Sequence, residues 1–222
     1  MGFIVALDGP AGSGKGTVTK EVAKKMNLIN IDTVAMYRCV TLLMIRQNIK
    51  LDELEKIEKI LNKIDIQFKL ESEKQKVYLN NEDVSLEIRT QKVNELVSPV
   101  STIKIVRDKL VDLQRKMADS IDVIMEGRDI GTNVFPNANL KIYLDATPEE
   151  RANRRFKQNE EKGIKIPYAE ILENVKYRDY TDSHREIAPL KQAEDAIYID
   201  STNMTIEEVV EKVVEEIEKV RK

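Results

Sequence analysis

Five short stretches of the chain are almost continuously apolar: 3-FIVALDG-9, 28-LINID-32, 123-VIMEG-127, 140-LKIYLDA-146 and 196-AIYIDS-201. They are rich in Ile and Val, the pattern of strands covered on both faces in a parallel sheet. Between them, apolar residues recur at three- and four-residue spacing. That periodicity predicts helices over about 15–26, 35–48, 101–119, 148–162, 168–182 and 205–221. The last of these opens on Thr205 with Glu208 three positions on, the pattern of a capping box. Strands alternating with helices predict an α/β fold with a doubly wound parallel sheet.

Two regions interrupt the alternation. Residues 64–88 show period-two patterning without an intervening helix, with Asn80-Asn81 as a hairpin turn, and so predict a small antiparallel insertion. The stretch 151-RANRRFKQNEEKGIKIP-167 is polar, basic at its start, and closed by Gly163 and Pro167. It reads as a second insertion or as a solvated helix and loop. No internal repeat or low-complexity tract is present.

Composition removes several classes of function. With a net charge of -3, the 222-residue chain lacks the basic excess of a nucleic-acid binder. No apolar run reaches the length of a bilayer span, and Asp8 interrupts the first one too early for a signal peptide. The single cysteine, Cys39, has no internal disulfide partner and sits in helical surroundings as a small hydrophobe. These features predict a cytoplasmic protein with no membrane or nucleic-acid partner. The absence of a heptad seam predicts a monomer.

Half of the chain's 8 glycines fall in 8-DGPAGSGKGT-17, directly after the first predicted strand. Glycines let backbone N–H groups converge on a phosphate, and the following helix presents its positive end. Gly9, Pro10, Ala11, Gly12, Ser13, Gly14, Lys15, Gly16 and Thr17 are therefore the expected polyphosphate site, with Lys15 reaching the β- and γ-phosphates of ATP. Gly16 stands where the common motif carries the Ser or Thr that ligates Mg²⁺, and Thr17 comes one position later. Direct metal ligation by the loop is therefore not expected. Switch GTPases, ATPases and small-molecule kinases share such loops, so the loop alone does not name an acceptor.

The variant G-x-x-G-x-G-K-G-T resembles that of nucleoside monophosphate kinases. Five further segments resemble the bacterial cytidylate (CMP) kinase family: 32-DTVAMYR-38, 86-LEIRTQKVNELVSPVS-101, 126-EGRDIGTNVFPNANLKIYLDA-146, 178-RDYTDSHREIAPL-190 and 195-DAIYIDS-201. The resemblance implies a P-loop core over 1–36 and 100–222, a monophosphate-binding insertion over 37–99 and a helical lid over 148–167. It also implies transfer of phosphate from ATP, with Mg²⁺, to CMP or dCMP. One departure is Val34, where the family has glycine; a β-branched residue is tolerable there only if the backbone is helical.

The same residues make chemical sense individually. Thr33, Tyr37 and Arg38 follow the second strand and suit a ribose or phosphate, or else helix capping and packing. Arg128 and Asp129 end the central strand, where open α/β sheets bind ligands, or else pair with each other. The resemblance places Ser98, Arg107 and Asp129 around the base, where a carboxylate suits the cytosine amino group. Turn chemistry before Pro99 and a solvated helix face are the plain alternatives for Ser98 and Arg107. Arg178, Asp182 and Arg185 recur at four- and three-residue spacing, on one helical face, as a salt-bridge ladder or as ligands. The resemblance puts Arg178 and Asp182 near the ribose and Arg185 near the transferring phosphates. Arg151, Arg154 and Arg155 are the expected lid arms, Arg154 toward ATP. His184 carries no catalytic signature. Two competing readings remain at this point: a kinase for another small acceptor such as UMP, and a guanine-specific switch that makes no phosphorylated product.

Overall fold

The structure is a computed structural model that describes residues 2–71, 74–161 and 163–221. Ser72 and Glu73 of the expected antiparallel region, and Lys162 of the expected lid, lie outside the described residues. The chain divides into two compact units, Met1–Asn30 with Ala118–Lys222, and Ile31–Met117.

The first unit contains β1 (Ile4–Asp8), α1 (Lys15–Met26) and the first half of β2 (Ile29–Asp32). The second contains α2 (Thr33–Arg46), α3 (Leu54–Leu61), β3 (Ile66–Glu71), β4 (Lys74–Leu79), β5 (Glu82–Asp83), α4 (Gln91–Ser101) and α5 (Lys104–Met117). The first unit then resumes with β6 (Val123–Gly127), β7 (Leu140–Asp145), α6 (Pro148–Glu161), α7 (Tyr168–His184), β8 (Ile197–Asp200) and α8 (Ile206–Arg221).

The strand order β2-β6-β1-β7-β8 puts β1 at the centre, paired in parallel with β6 and β7, while β8 runs parallel to β7. Val5, Leu7, Ile124, Ile142 and Leu144 are buried, as the unbroken apolar runs require, against Val18 and Val22 of α1 and Val209 and Val213 of α8. Burial of each such side chain stabilises by roughly 1.5–3 kcal/mol, so these three strands and two helices carry the core of the unit. The capping box of α8 is present: Thr205 N donates to Glu208 Oε2 at 2.8 Å, and Glu208 N to Thr205 Oγ1 at 3.2 Å. Among the described residues no helix is long and apolar enough to cross a membrane.

In the second unit, β3, β4 and β5 form the expected antiparallel sheet. Asn80 and Asn81 both take positive φ, 50° and 69°, as a two-residue turn between β4 and β5 demands. Two helices there were not expected. Leu54–Leu61 buries Ile57, Ile60 and Leu61, and Gln91–Ser101 buries Val93, Val97 and Val100. Pro99 sits inside α4, so the predicted turn at Ser98-Pro99 is instead the last helical turn, and the long helix expected over 101–119 is broken at Thr102–Ile103. Pro99 lacks the amide that would bond the Glu95 carbonyl one turn back, and the helix ends two residues later. Val34 is the second residue of α2 and thus helical, the backbone state in which its branching is harmless.

Candidate active site

The register of the central strands aligns Asp8 of β1 with Gly127 of β6. The glycine loop and the Arg128-Asp129 segment therefore leave the sheet side by side, at the carboxyl ends of neighbouring strands, as ligand sites in open α/β sheets do. Gly9 is required there. With φ at 148°, a Cβ on it would stand 2.0 Å from the Leu144 carbonyl oxygen. Gly14, at φ 94°, is the N-cap of α1 and supplies no side-chain cap, and Thr17 N donates to its carbonyl at 3.0 Å.

Lys15 is buried and folded across the loop, donating to the Pro10 carbonyl at 2.6 Å and to Ser13 Oγ at 3.3 Å. Its pKa is lowered to about 7, first by burial and then by the nearby Arg128 charge, against the opposing pull of Glu126, Asp8 and Asp182. A group with so low a pKa loses its charge in the free protein as pH rises through 7, and a bound polyphosphate restores it. Polyphosphate binding at the loop between pH 7 and 9 is therefore expected to take up protons and to weaken by up to about tenfold per pH unit. Calorimetry in buffers of different ionisation enthalpy measures both. A pH-independent affinity with no proton uptake would refute it.

Two carboxylates under the loop escaped the sequence reading. Asp8 accepts from Ile130 N at 2.8 Å and Gly131 N at 2.7 Å, tying the strand that carries the loop to the turn after Arg128-Asp129. Burial raises its pKa to about 6, although the two amide bonds and Lys15 oppose the shift. Glu126 is buried beside Thr19, and a Cβ on Gly16 would lie 3.2 and 3.5 Å from its two carboxylate oxygens. The available signal was an acidic residue inside an otherwise apolar strand run, IVALD and VIMEG.

Arg128 and Asp129 each meet a partner on α7 or just beyond it. Arg128 Nε donates to Asp182 Oδ2 at 2.9 Å, and Arg185 Nη2 lies 3.3 Å from Asp129 Oδ1. Asp129 Oδ2 also accepts from Asn133 Nδ2 at 3.0 Å. Of the two alternatives for Arg178, Asp182 and Arg185, the helical ladder is modified: Asp182 bonds Arg128 and Arg185 pairs with Asp129. The physical reason is that α7 ends at His184, which leaves Arg185 in extended backbone. Burial would raise the Asp182 pKa, but Arg128, Arg185 and Arg178 outweigh it and hold the group below the usual carboxylate range. Arg178 is exposed as a residue, yet loss of water around its head group and the Arg128 charge lower its pKa. His184 is exposed, stacked on Tyr180 and bonded through Nδ1 to the Tyr180 carbonyl.

In the second unit, the remaining predicted residues gather around α2, α4 and α5. Thr33 is buried at the start of α2, which Asp32 caps by accepting from Ala35 N. Arg38 Nη2 donates to Asn94 Oδ1 of α4 at 2.7 Å. The Arg107 guanidinium is buried 5.6 Å from the Tyr37 ring centre and donates to the Ser101 carbonyl at 3.2 Å, so it is not on a solvated face. Ser98 is half-buried one turn from that contact. The letters 62-NKID-65 match the guanine-reading pattern N-K-x-D. Here Asn62 closes α3, while Asp65 bonds Asn80 through its backbone and Gln67 through its carboxylate, leading into β3. Those contacts give the match a structural purpose.

Of the expected lid arginines, Arg155 is exposed, whereas Arg151 is buried and Arg154 is half-buried against the loop backbone.

A glycine loop at the switch point of a parallel sheet, with a buried lysine and paired arginines beside it, defines the class of P-loop phosphotransferases. The family model for cytidylate kinase matches residues 5–219. A cytidylate kinase of Fusobacterium nucleatum is 53% identical over 219 residues, covering 99% of this chain and 99% of that one. One from Caldicellulosiruptor saccharolyticus is 53% identical over 216 residues, covering 97% and 96%, and one from Bacillus subtilis is 43% identical over 214, covering 96% of each. Among solved structures, an uncharacterized protein from Eubacterium ventriosum aligns over 97% of this chain and 98% of its own, with TM-score 0.55 and 12% identity, a likeness of fold alone. The chain belongs to the cytidylate kinase family.

Proposed function

We propose that the protein transfers the γ-phosphate of ATP to CMP or dCMP, acting in the cytoplasm as a monomer. The observation that supports this most is the family match over nearly the whole chain. The attacking group is a phosphate oxygen that is already largely anionic near neutral pH, so no general base is needed. Catalysis is alignment and charge neutralisation. Lys15 and the loop amides hold the ATP phosphates. In the first unit, Arg128 and Arg185 orient and neutralise the acceptor phosphate and Arg178 with Asp182 hold the ribose; in the second, Arg38 suits a phosphate and Thr33 and Tyr37 a sugar-phosphate. In the first unit, Asp129 is the acceptor suited to the cytosine amino group; in the second, Ser98 and Arg107 are the donors suited to the ring acceptors.

Mg²⁺ fits this residue set. The Glu126 carboxylate stands beside the place that the common loop motif gives to a hydroxyl, and the missing Cβ of Gly16 leaves it room. Glu126, with Thr19 bonded to it, would hold the ion, which neutralises phosphate charge when bound. A coupled ADP-release assay over CMP, dCMP, UMP, AMP and non-nucleotide alcohols tests the proposal. Turnover is expected with CMP and dCMP and at least about tenfold lower kcat/KM with UMP. Preference for any other acceptor, or hydrolysis without a phosphorylated product, would overturn it.

A further inference from the structure

Arg151 is 3% exposed, and every arm of its guanidinium is engaged. Nε donates to the Ala146 carbonyl at 2.8 Å, Nη1 to the Ala11 carbonyl at 3.1 Å and to Asp179 Oδ1 at 2.8 Å, and Nη2 to Asp179 Oδ2. Its stem is packed against the loop, since a Cβ on Gly12 would lie 3.2 Å from Arg151 Cβ. One helical turn on, Arg154 Nη1 reaches the Ser13 carbonyl at 3.3 Å. A trans peptide points its C=O and the next residue's N–H in opposite directions. Drawing the Ala11 and Ser13 carbonyls toward α6 therefore turns the Gly12 and Gly14 amides the other way.

We propose that the Arg151–Asp179 pair is a positioning device for the glycine loop: Arg151, locked by Asp179, fixes the Ala11 carbonyl outward and so holds the loop in its anion-binding form. Only a planar fork makes these bonds at once; an ammonium on a flexible stem does not. Asp179 is the necessary partner, because removing its charge leaves a buried guanidinium uncompensated and releases the carbonyl it holds in place. The pair also joins the loop to α7, whose Asp182 reaches Arg128.

The inference rests on the reading that the loop binds ATP, and binding measurements separate the two. Arg151→Lys and Asp179→Asn are each expected to weaken ATP binding about tenfold by calorimetry, with CMP binding changed less than about twofold. In steady state, KM for ATP rises while kcat at saturating ATP falls less. The double variant is expected to be no worse than the weaker single variant by more than about twofold, because one interaction is being lost. Asp179 is partly exposed, so its variant tests the idea even if Arg151→Lys folds poorly. Unchanged ATP affinity in a folded Asp179→Asn protein would overturn the proposal, as would equal losses for ATP and CMP. Failure of the unsubstituted protein to bind ATP would overturn the loop assignment itself.

Discussion

Replacing Lys15 by methionine is expected to lower kcat by roughly 10³-fold while leaving the melting temperature at or above that of the parent. The rate loss follows from the proposed role of Lys15 as the one cation that the loop contributes to the transferring phosphates. Preorganised donors in a site closed to water are each worth about 10²–10³ in rate, and a full charge lies at the upper end. The stability expectation follows from burial. Lys15 is 5% exposed, and burial is the leading cause of its pKa near 7, so the folded protein gains little from its charge. Methionine keeps the unbranched stem in the space beneath the loop and carries no charge to desolvate. It loses the bonds to the Pro10 carbonyl and Ser13 Oγ, a cost of about 1 kcal/mol each at most. A coupled kinase assay beside thermal unfolding reads both quantities. Near-parental turnover in a folded variant would remove the loop lysine from the mechanism, and a large fall in melting temperature would show that the lysine is structural first.

The α/β scaffold was legible because burial on both faces leaves an unbroken apolar run, and each of the five runs became a strand within about a residue of its predicted ends. The glycine loop was legible because its chemistry is local, contained in ten consecutive residues. The side-chain pairings were illegible because they depend on distant partners. Arg128 meets a carboxylate 54 residues away and Asp129 a guanidinium 56 residues away, and no periodicity links such positions. Spacing suggested instead that Arg178, Asp182 and Arg185 satisfy one another. The helix was expected to end at about 182 and ends at His184, so Arg185 lies beyond it in extended backbone, where helical spacing no longer applies. Arg151 is a second instance. A polar, basic stretch reads as solvent-facing, yet this arginine is buried because Asp179 and two carbonyls compensate its charge. Helix α3 was passed over although Leu, Glu and Lys in 54-LEKIEKIL-61 favour a helix, and α4 because it carries Pro99, against which burial of Val93, Val97 and Val100 won.

The largest expected change in specificity comes from Asp129→Asn, predicted to shift the kcat/KM ratio of CMP over UMP toward UMP by about 10–100-fold. Cytosine offers an amino donor where uracil offers a carbonyl. An ionised carboxylate is acceptor-only, so it bonds the first and leaves the second facing a buried negative charge. Asp129 is 6% exposed, and water cannot easily relieve that mismatch. An amide presents either an oxygen or an NH₂ group and can turn to suit either base, which removes the penalty against UMP instead of improving the contact with CMP. The substitution also weakens the contact with Arg185, whose guanidinium lies 3.3 Å from the carboxylate, so kcat is expected to fall about tenfold for both acceptors. That common loss cancels in the ratio, and for this reason the ratio, measured with both acceptors in one competition assay, is the decisive quantity. A variant that slows both acceptors equally would leave Asp129 as an anchor for Arg185 and assign the reading of the base to other side chains.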